Sequence, residues 1–308
     1  MSKEELHPAI SGHLEVEKGS RQVYYEYFGD VADGRANENG KETVCLMNGL
    51  AMDCRSWLGL LPQVYPQYNV VLYNYFGQGV GENESSCEDE PYSIHGFASY
   101  LVEILDTIGI EKVHTMGVSY GGFVAGEFAR AFPERIHTTT LSGILLTREI
   151  GFQHYQDISL HFYTSTDEVF STYTRYLYEK IFGDRFLKNI YGAPMEKMRA
   201  NFLDRYKDRK HCLIQLTKAQ DPFFAAVDEE NQQRYGNLQV PLMIMAGAQD
   251  RAVPLWYQEK IHKMNPGSRY MIIPECGHLT YLERPDVFWP NIREFWKTKN
   301  TNFEEKTV

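Results

Sequence analysis

The sequence lacks any apolar run that approaches the roughly 18 residues needed to cross a bilayer. Its first ten residues, MSKEELHPAI, also lack the apolar segment of a cleaved secretory signal. These features argue against membrane insertion and against secretion by a cleaved leader. They predict a cytoplasmic protein with no membrane span.

Cysteine is scarce, with only Cys45, Cys54, Cys87, Cys212 and Cys276. The number is odd, no pair has the C-x-x-C spacing of a metal or redox motif, and most lie in apolar segments. These features are typical of reduced thiols in an intracellular protein. We therefore expect no disulfide framework.

Basic clusters are also missing. The chain has 31 Lys and Arg against 41 Asp and Glu, a net charge of -10. A nucleic acid is not an expected partner, because binding by displacement of phosphate counterions needs clustered Lys and Arg. The segment GQGVGE at 77–82 comes close to a dinucleotide-binding loop, but Glu82 stands where the last glycine is required.

What the chain does contain is an alternation of short apolar strands with amphipathic helices. After a predicted hairpin at 13–28 and a polar loop at 29–42, strands are predicted at 43–47, 69–75, 112–117, 136–142, 240–246 and 269–273. Between them lie helices such as 93–108, whose apolar residues recur at helical spacing and which Gly109 ends. Repeated strand, helix, strand units predict the α/β class with a mostly parallel sheet.

The alternation stops between residues 144 and 236, where charged and aromatic residues recur at helical spacing. We interpret this segment as a helical cap inserted into one α/β domain. The predicted core comprises residues 14–143 and 237–298, the cap 144–236, and the flexible termini 1–13 and 299–308.

The motif GVSYG at 117–121 carries the first chemical signal. It matches G-x-S-x-G directly after a predicted strand and directly before a predicted helix, and a tight turn there exposes the serine hydroxyl above the sheet. Glycines two residues to either side remove side chains that would clash. Ser119 is therefore the predicted nucleophile.

Serine needs a base within hydrogen-bond reach and a third group that orients the base. Asp250 and His278 each follow a predicted strand by a short loop, so both should reach the same edge of the sheet as Ser119. We predict His278 as general base and Asp250 as the acid that orients it. Asp221 lacks a preceding strand, and Glu275 is too near His278 in sequence to orient it easily.

The oxyanion formed during acyl attack needs two preorganised donors, usually backbone amides. One is expected from Tyr120, the residue after the nucleophile. The other is expected from Leu50, since Gly49 lets the loop after the third strand turn close to the substrate. Taken alone, Asn48-Gly49 is better explained as an ordinary turn.

The chain resembles the α/β-hydrolase superfamily over about residues 14–297. The segments that carry the resemblance are 48–50, GVSYG at 117–121, 247–250, 277–278 and LERP at 282–285. The resemblance implies an α/β-hydrolase fold with a mostly parallel eight-stranded sheet flanked by helices and an inserted helical cap. It also implies acyl-transfer chemistry without a metal ion or organic cofactor, and it does not fix the substrate. Serine at position 119 disfavours the members that use an aspartate nucleophile.

One departure keeps an alternative open. Many esterases of the superfamily have His-Gly at the oxyanion loop, whereas Asn48-Gly49 is similar to the 3-hydroxyacyl transferases of rhamnolipid and polyhydroxyalkanoate biosynthesis. Those transferases have tryptophan after the nucleophile, where this chain has Tyr120. Acyl transfer to an alcohol or thiol is thus the second hypothesis. A ligand-binding receptor or scaffold with the same fold is the third, which the full set of catalytic residues disfavours.

The cap segment is rich in aromatic residues, which are Phe152, Tyr155, Phe162, Tyr163, Phe170, Tyr173, Tyr176, Tyr178, Phe182, Phe186, Tyr191, Phe202 and Tyr206. An aromatic surface over the serine would exclude water and hold an apolar group, although any single ring is better explained by cap packing. We predict a small apolar ester or thioester as substrate, with Phe223, Phe224 and Asn48 as substrate-binding candidates. The sequence leaves acyl length, stereoselectivity and oligomeric state open.

Overall fold

The computed structural model describes residues 6–301 of the chain. Its strands are, in chain order, β1 Ile10–Val16, β2 Arg21–Phe28, β3 Asp30–Ala32, β4 Arg35–Asn37, β5 Thr43–Met47, β6 Asn69–Tyr73, β7 Val113–Val118, β8 Ile136–Ser142, β9 Leu242–Gly247 and β10 Arg269–Ile273.

Eight of the strands in this range form one sheet in the order β1-β2-β6-β5-β7-β8-β9-β10. Strand β2 runs antiparallel to both neighbours, and every pair from β6 to β10 is parallel. The central strands are buried along their whole length, because helices cover both faces of the sheet. This architecture confirms the predicted fold class.

The helices of the described chain are α1 Arg55–Leu58, α2 Ile94–Ile108, α3 Tyr120–Ala131, α4 Ile150–Thr164, α5 Asp167–Ile181, α6 Asp184–Ile190, α7 Ala193–Tyr206, α8 Lys210–Lys218, α9 Asp221–Ala225, α10 Asp228–Tyr235, α11 Leu255–Met264, α12 Thr280–Glu283 and α13 Pro285–Thr298. Short 3₁₀ helices lie at Glu17–Gly19, Leu61–Gln63, Gly81–Asn83 and Pro133–Arg135.

Helix α2 confirms the helix predicted from apolar spacing. Ser93 caps its N-terminus, accepting a hydrogen bond from the Gly96 amide at 3.2 Å. Gly109 ends it at a φ of 84°, a left-handed conformation that costs a glycine little. The buried face packs on the sheet, and the apolar stripe read from the sequence is that face.

Seven helices, α4 to α10, lie between β8 and β9 in the segment predicted as a cap. Their aromatic side chains form a cluster of their own around the buried residues Tyr163, Phe170, Tyr173 and Tyr206. The rings of Tyr163 and Tyr173 meet edge to face with centroids 5.0 Å apart. Much of the aromatic content of the cap therefore packs the cap itself.

Two details of the N-terminal region differ from the sequence predictions. Residues 29–42, predicted as a polar loop, contain the short hairpin β3-β4. The N-terminus was predicted to be flexible through residue 13, but Ile10–His13 pairs with Tyr24–Tyr27 in the sheet. Both elements are short and largely exposed, so they leave a weak hydrophobic pattern in the sequence. Residues 1–5 and 302–308 of the predicted flexible termini lie outside the described range.

The structure also corrects the expectation that all cysteines are reduced. Cys87, in the loop after β6, forms a disulfide with Cys212 in α8, 125 residues away in sequence. Cys45, Cys54 and Cys276 are free and buried. The prediction failed because cysteine number and spacing carry no information about which thiols the tertiary fold brings together.

None of the helices between residues 6 and 301 combines the length and the apolarity that a bilayer crossing requires.

The Cys87–Cys212 disulfide should stabilise the protein, because it ties a core loop to the cap across 125 residues. Removing it should cost about 3 kcal/mol of unfolding free energy. A reducing agent should lower the melting temperature of the wild-type protein by several degrees, measured by differential scanning calorimetry. The Cys87→Ser variant should melt at the lower temperature with or without reductant. An unchanged melting temperature of the wild-type protein after addition of reductant would contradict this expectation.

Candidate active site

Ser119 occupies a strained turn between β7 and α3. Its φ of 54° and ψ of -124° are rarely adopted by a residue with a side chain. The turn is held by two hydrogen bonds: the Ser119 amide donates to the Ser142 carbonyl at 2.9 Å, and the Gly122 amide donates to the Ser119 carbonyl at 2.8 Å. Strain of this kind persists only where the surroundings enforce it, and it is common at functional sites.

The glycines on either side of Ser119 let the strand, the helix and a neighbouring loop approach closely. A Cβ atom on Gly117 would lie 2.6 Å from the Ala125 Cβ, and one on Gly121 would lie 2.5 Å from the Met47 carbonyl oxygen. Larger residues would therefore displace α3 or the loop after β5. These contacts agree with the prediction that glycine is needed at both positions because a side chain there would clash.

Asp250 and His278 meet at the carboxyl edge of the sheet, on the loops after β9 and β10. Nδ1 of His278 and Oδ2 of Asp250 are 2.8 Å apart, and both residues are buried. The other carboxylate oxygen accepts hydrogen bonds from the amides of Ala252 at 3.0 Å and Val253 at 2.8 Å. The carboxylate is thus fixed by its own loop and presents one oxygen to the imidazole.

The neighbourhood of His278 favours its protonated form. Burial alone would lower the pKa of His278, but the Asp250 carboxylate, through its charge and hydrogen bond, outweighs burial and raises the pKa above its ordinary value. The Glu283 carboxylate acts in the same direction. An imidazole in this setting can take up a proton during a reaction and be stabilised while it holds it.

Two further side chains, which the sequence analysis did not identify, brace these loops. Gln258 donates to Oδ2 of Asp250 at 3.3 Å and accepts from the Gly143 amide at 3.1 Å. Glu283 accepts from the amides of Gly183, Gly277 and Leu279 at 2.8, 2.9 and 3.2 Å. Burial raises the pKa of Glu283, although the three amides oppose that effect. The LERP sequence contained Glu283, but its spacing gave no indication of this role.

The end of α5 in the cap bonds to the loops after β9 and β10, which contain Asp250 and His278. The His278 amide donates to the Ile181 carbonyl at 2.6 Å, and the Arg251 amide donates to the Lys180 carbonyl at 3.2 Å. The Arg251 guanidinium also donates to the Phe182 carbonyl at 2.8 Å. Hydrogen bonds therefore connect the end of this cap helix to the loops that contain Asp250 and His278.

The loop after β5 is held by buried side-chain amides. The Asn48 side chain is fully buried; its Nδ2 donates to the Tyr73 carbonyl at 2.9 Å and its Oδ1 accepts from the Trp57 indole at 2.7 Å. Gln78, a residue missed in the sequence analysis, donates to the Gly49 carbonyl at 2.9 Å. Gln78 also donates to the Leu50 carbonyl at 3.3 Å, so these bonds fix the backbone on both sides of the Leu50 amide.

A cavity of about 220 Å³ lies between the sheet edge and the cap. Ser119, His278, Leu50 and Tyr120 all line it, so the structure brings the predicted nucleophile, base and oxyanion-hole residues to one space. Asp250 stands behind His278, outside the lining. Most of the remaining wall is aliphatic or aromatic and comes from the cap, including Phe152, Tyr155, Leu177, Phe182, Met198 and Phe202.

Three predicted substrate-binding residues do not line this cavity. Phe223 packs against Phe123 with ring centroids 4.8 Å apart, and Phe224 packs against Phe152 at 5.6 Å. Both phenylalanines form a second layer behind cavity residues, because α9 packs on the outside of that wall. Asn48 is buried beneath the loop, where it bonds protein groups. We therefore assign these three residues to the support of the site.

The rival acids considered from the sequence lie elsewhere. Asp221 is exposed at the start of α9, and Glu275 is exposed and pairs with Arg185 at 3.6 Å. As for metal ligands, in the described part of the chain the group of three His, Cys or carboxylate side chains close enough to share an ion is Cys87, His211 and Cys212. Two of these are joined as a disulfide.

Comparison with known proteins places this chain in a family. The family model of the α/β-hydrolase fold matches residues 42–285. The chain is 26% identical over 299 residues to a 2-hydroxy-6-oxononadienedioate/2-hydroxy-6-oxononatrienedioate hydrolase of Klebsiella pneumoniae, covering 91% of this chain and 93% of that protein. It is 24% identical over 288 residues to the monoacylglycerol lipase abhd6-B of Xenopus laevis, covering 86% and 79%.

Among solved structures, the α/β-hydrolase enzyme MGS-M2 from a Medee basin deep-sea metagenome library superposes with a TM-score of 0.79. Identity is 19%, and the match covers 96% of this chain and all of that one. The chain belongs to the α/β-hydrolase family, a family of enzymes that includes hydrolases of several kinds of substrate.

Because Asp250 and Glu283 outweigh burial, we expect His278 to titrate above 6.5, the ordinary value for histidine. The imidazole is neutral, and able to accept a proton, only above that raised pKa. Asp250→Asn should lower the pKa of His278, since burial then acts against a weaker opposing field. NMR titration of ring protons measures both values, with Asp221→Asn as an exposed control that leaves the pKa unchanged. A wild-type value below 6.5, or no response to Asp250→Asn, would refute the proposed coupling.

Proposed function

We propose that the protein is a serine hydrolase that cleaves a carboxylic ester or thioester through an acyl-enzyme on Ser119. The observation that carries the proposal is the buried 2.8 Å pairing of Asp250 with His278, whose ring lines the same cavity as Ser119. Activation of a serine hydroxyl requires a base held in one tautomer by a third group. The strained turn at Ser119 supports the same assignment.

In the first half of the reaction, Ser119 Oγ attacks the substrate carbonyl carbon while its proton passes to His278 Nε2. The carbonyl π electrons move to oxygen, which becomes the oxyanion of a tetrahedral intermediate. When the oxyanion reforms the carbonyl, the bond to the alcohol or thiol breaks and His278 gives the leaving group its proton. In the second half, water attacks the acyl carbon while His278 takes a proton from it. The bond between the acyl carbon and Ser119 Oγ then breaks, His278 returns the proton to Oγ, and the free acid is released.

The oxyanion is assigned to the backbone amides of Leu50 and Tyr120. Tyr120 is the first residue of α3, and an amide in the first turn of a helix has no carbonyl partner within that helix. The Leu50 amide lies between the Gly49 and Leu50 carbonyls, which both accept hydrogen bonds from the Gln78 side chain. Fixed donors of this kind typically contribute a factor of roughly 10² to 10³ in kcat each.

The apolar cap wall supports a substrate with an apolar acyl or aromatic group. Burying such a group stabilises it by about 25 cal/mol per Å² of surface removed from water. Closure of the cavity by the cap would also keep bulk water from the tetrahedral intermediate. The names of the relatives, one a dienedioate hydrolase and one a monoacylglycerol lipase, are consistent with hydrolysis and leave the acyl group open.

A cytoplasmic location remains a prediction from the sequence. The N-terminal sequence and the lack of long apolar runs support it. The cysteines support it only in part, because two of the five, Cys87 and Cys212, form a disulfide.

Ser119→Ala should reduce kcat for ester hydrolysis by roughly a thousandfold or more, because the nucleophile and the base act as one unit. The wild-type protein should also be labelled by a fluorophosphonate probe, with the adduct on Ser119 in peptide mass spectrometry. Ser20→Ala, an exposed serine on the β1-β2 turn, serves as the matched control and should keep wild-type turnover and labelling. Retained hydrolysis in Ser119→Ala would refute the mechanism.

A further inference from the structure

The cavity at Ser119 contains no charged side chain to receive a charged substrate. Among the described residues that line it, none is Asp, Glu, Lys or Arg, and His278 is the one group that changes charge near neutral pH. A carboxylate on the substrate would lose its water there, which is unfavourable without a cationic partner. His278 does not supply one, because it must be neutral to accept the Ser119 proton. The substrate should therefore be neutral beyond its scissile bond.

The cap side of the cavity nevertheless includes uncharged polar side chains. Gln156 of α4 and Thr217 of α8 both line the cavity, and the two helices pack against each other. Their exposed fractions are 7% and 3%. Within the described structure, Nε2 of Gln156 and Oγ1 of Thr217 are buried and have no hydrogen-bond partner.

Three other polar side chains of the same cavity wall, Tyr163, Tyr173 and Ser159, are paired with one another. The Tyr163 and Tyr173 hydroxyls are 2.7 Å apart, and Tyr173 also reaches Ser159 at 3.4 Å. A hydroxyl within a helix commonly bonds the carbonyl four residues earlier, as Thr164 does to Leu160 at 2.9 Å. Thr217 makes no such bond although it lies in a helix. Its hydroxyl is free to bond a group in the cavity.

We infer that Gln156 and Thr217 form a subsite for an uncharged oxygen of the substrate, such as a hydroxyl or ketone. The inference rests on the proposed function, since it names the class of ester that the Ser119 site takes. Gln156 donates an amide N–H to the oxygen, and Thr217 donates or accepts through its hydroxyl. The preferred substrate is thus a neutral ester or thioester whose apolar body carries one oxygen that reaches the cap.

This subsite separates two kinds of substrate found among the relatives. A dienedioate, as in the name of the Klebsiella hydrolase, carries two carboxylates, and the described lining of this cavity offers no cation for either. A neutral ester with a free hydroxyl matches both the absence of charge and the unpaired donors. A wholly apolar ester would enter the cavity but leave Gln156 and Thr217 unpaired. Its kcat/KM should therefore be lower than that of an ester whose oxygen bonds these two side chains.

The test compares matched esters that differ by one group. One series has p-nitrophenyl esters of linear acids that are unsubstituted, that carry a hydroxyl or ketone at successive positions, or that end in a carboxylate. A second series compares 1-monoacylglycerols with alkyl esters of equal length, so that the oxygen is placed on the alcohol side. In one of the series the best oxygenated ester should exceed its apolar match in kcat/KM by roughly tenfold or more. The carboxylate ester should be the poorest substrate.

Two substitutions that remove the polar atoms with little change in shape test the residues. Gln156→Leu and Thr217→Val should each reduce the oxygenated-to-apolar ratio by roughly tenfold. Gln153 in α4 and Thr172 in α5 do not line the cavity. Gln153→Leu and Thr172→Val are therefore matched controls, and both should keep the wild-type ratio. Either test variant is sufficient if the other fails to fold, as judged by its melting temperature.

The failure of this inference can be told apart from failure of the proposed function. Equal kcat/KM values for oxygenated and apolar esters in both series, in a protein still labelled at Ser119, would overturn the subsite alone. Unchanged ratios in both folded variants would also overturn it. If no ester is turned over, dissociation constants of the same compounds for Ser119→Ala, measured by calorimetry, give the comparison without catalysis. Equal affinities there would again overturn the subsite.

Discussion

A 2.8 Å hydrogen bond joins the Asp250 carboxylate to Nδ1 of His278 where two adjacent parallel strands end. Both groups are buried. Removing either one would destabilise the fold, because the other would be left as an unpaired charge or polar group away from water. The rest of the site is arranged around this pair. Gln258 and the amides of residues 252 and 253 fix the carboxylate, while Glu283 braces the loop that holds the imidazole.

The loop after β5, which contains Leu50, is held in place by neutral side-chain amides instead of by a charged pair. Asn48 bonds the backbone of β6 and the indole of Trp57, and Gln78 bonds the carbonyl of Gly49. A network of this kind is stable only when nearly every member is paired, which explains why the amide of Asn48 is turned away from the cavity. The cap shows the complementary case, in which Gln156 and Thr217 face the cavity unpaired.

The strand and helix pattern and the chain order Ser119, Asp250, His278 could be read from the sequence, because each depends on local spacing and on the geometry of parallel strands. Roles that depend on tertiary neighbours could not. Phe223 was assigned to the substrate from its aromatic character alone, and Gln78 carried no motif at all. The pairing of Cys87 with Cys212 was missed for the same reason, since 125 residues separate them.

A crystal structure of the protein after reaction with a fluorophosphonate would test the assignment of Ser119, His278 and the two backbone amides most directly. We expect a phosphorus bond to Ser119 Oγ, with one phosphonyl oxygen about 2.7–3.1 Å from the amides of Leu50 and Tyr120. His278 Nε2 should lie within hydrogen-bond reach of the adduct, with its pairing to Asp250 retained. An adduct on another residue, or a phosphonyl oxygen that points away from both amides, would contradict the central claim.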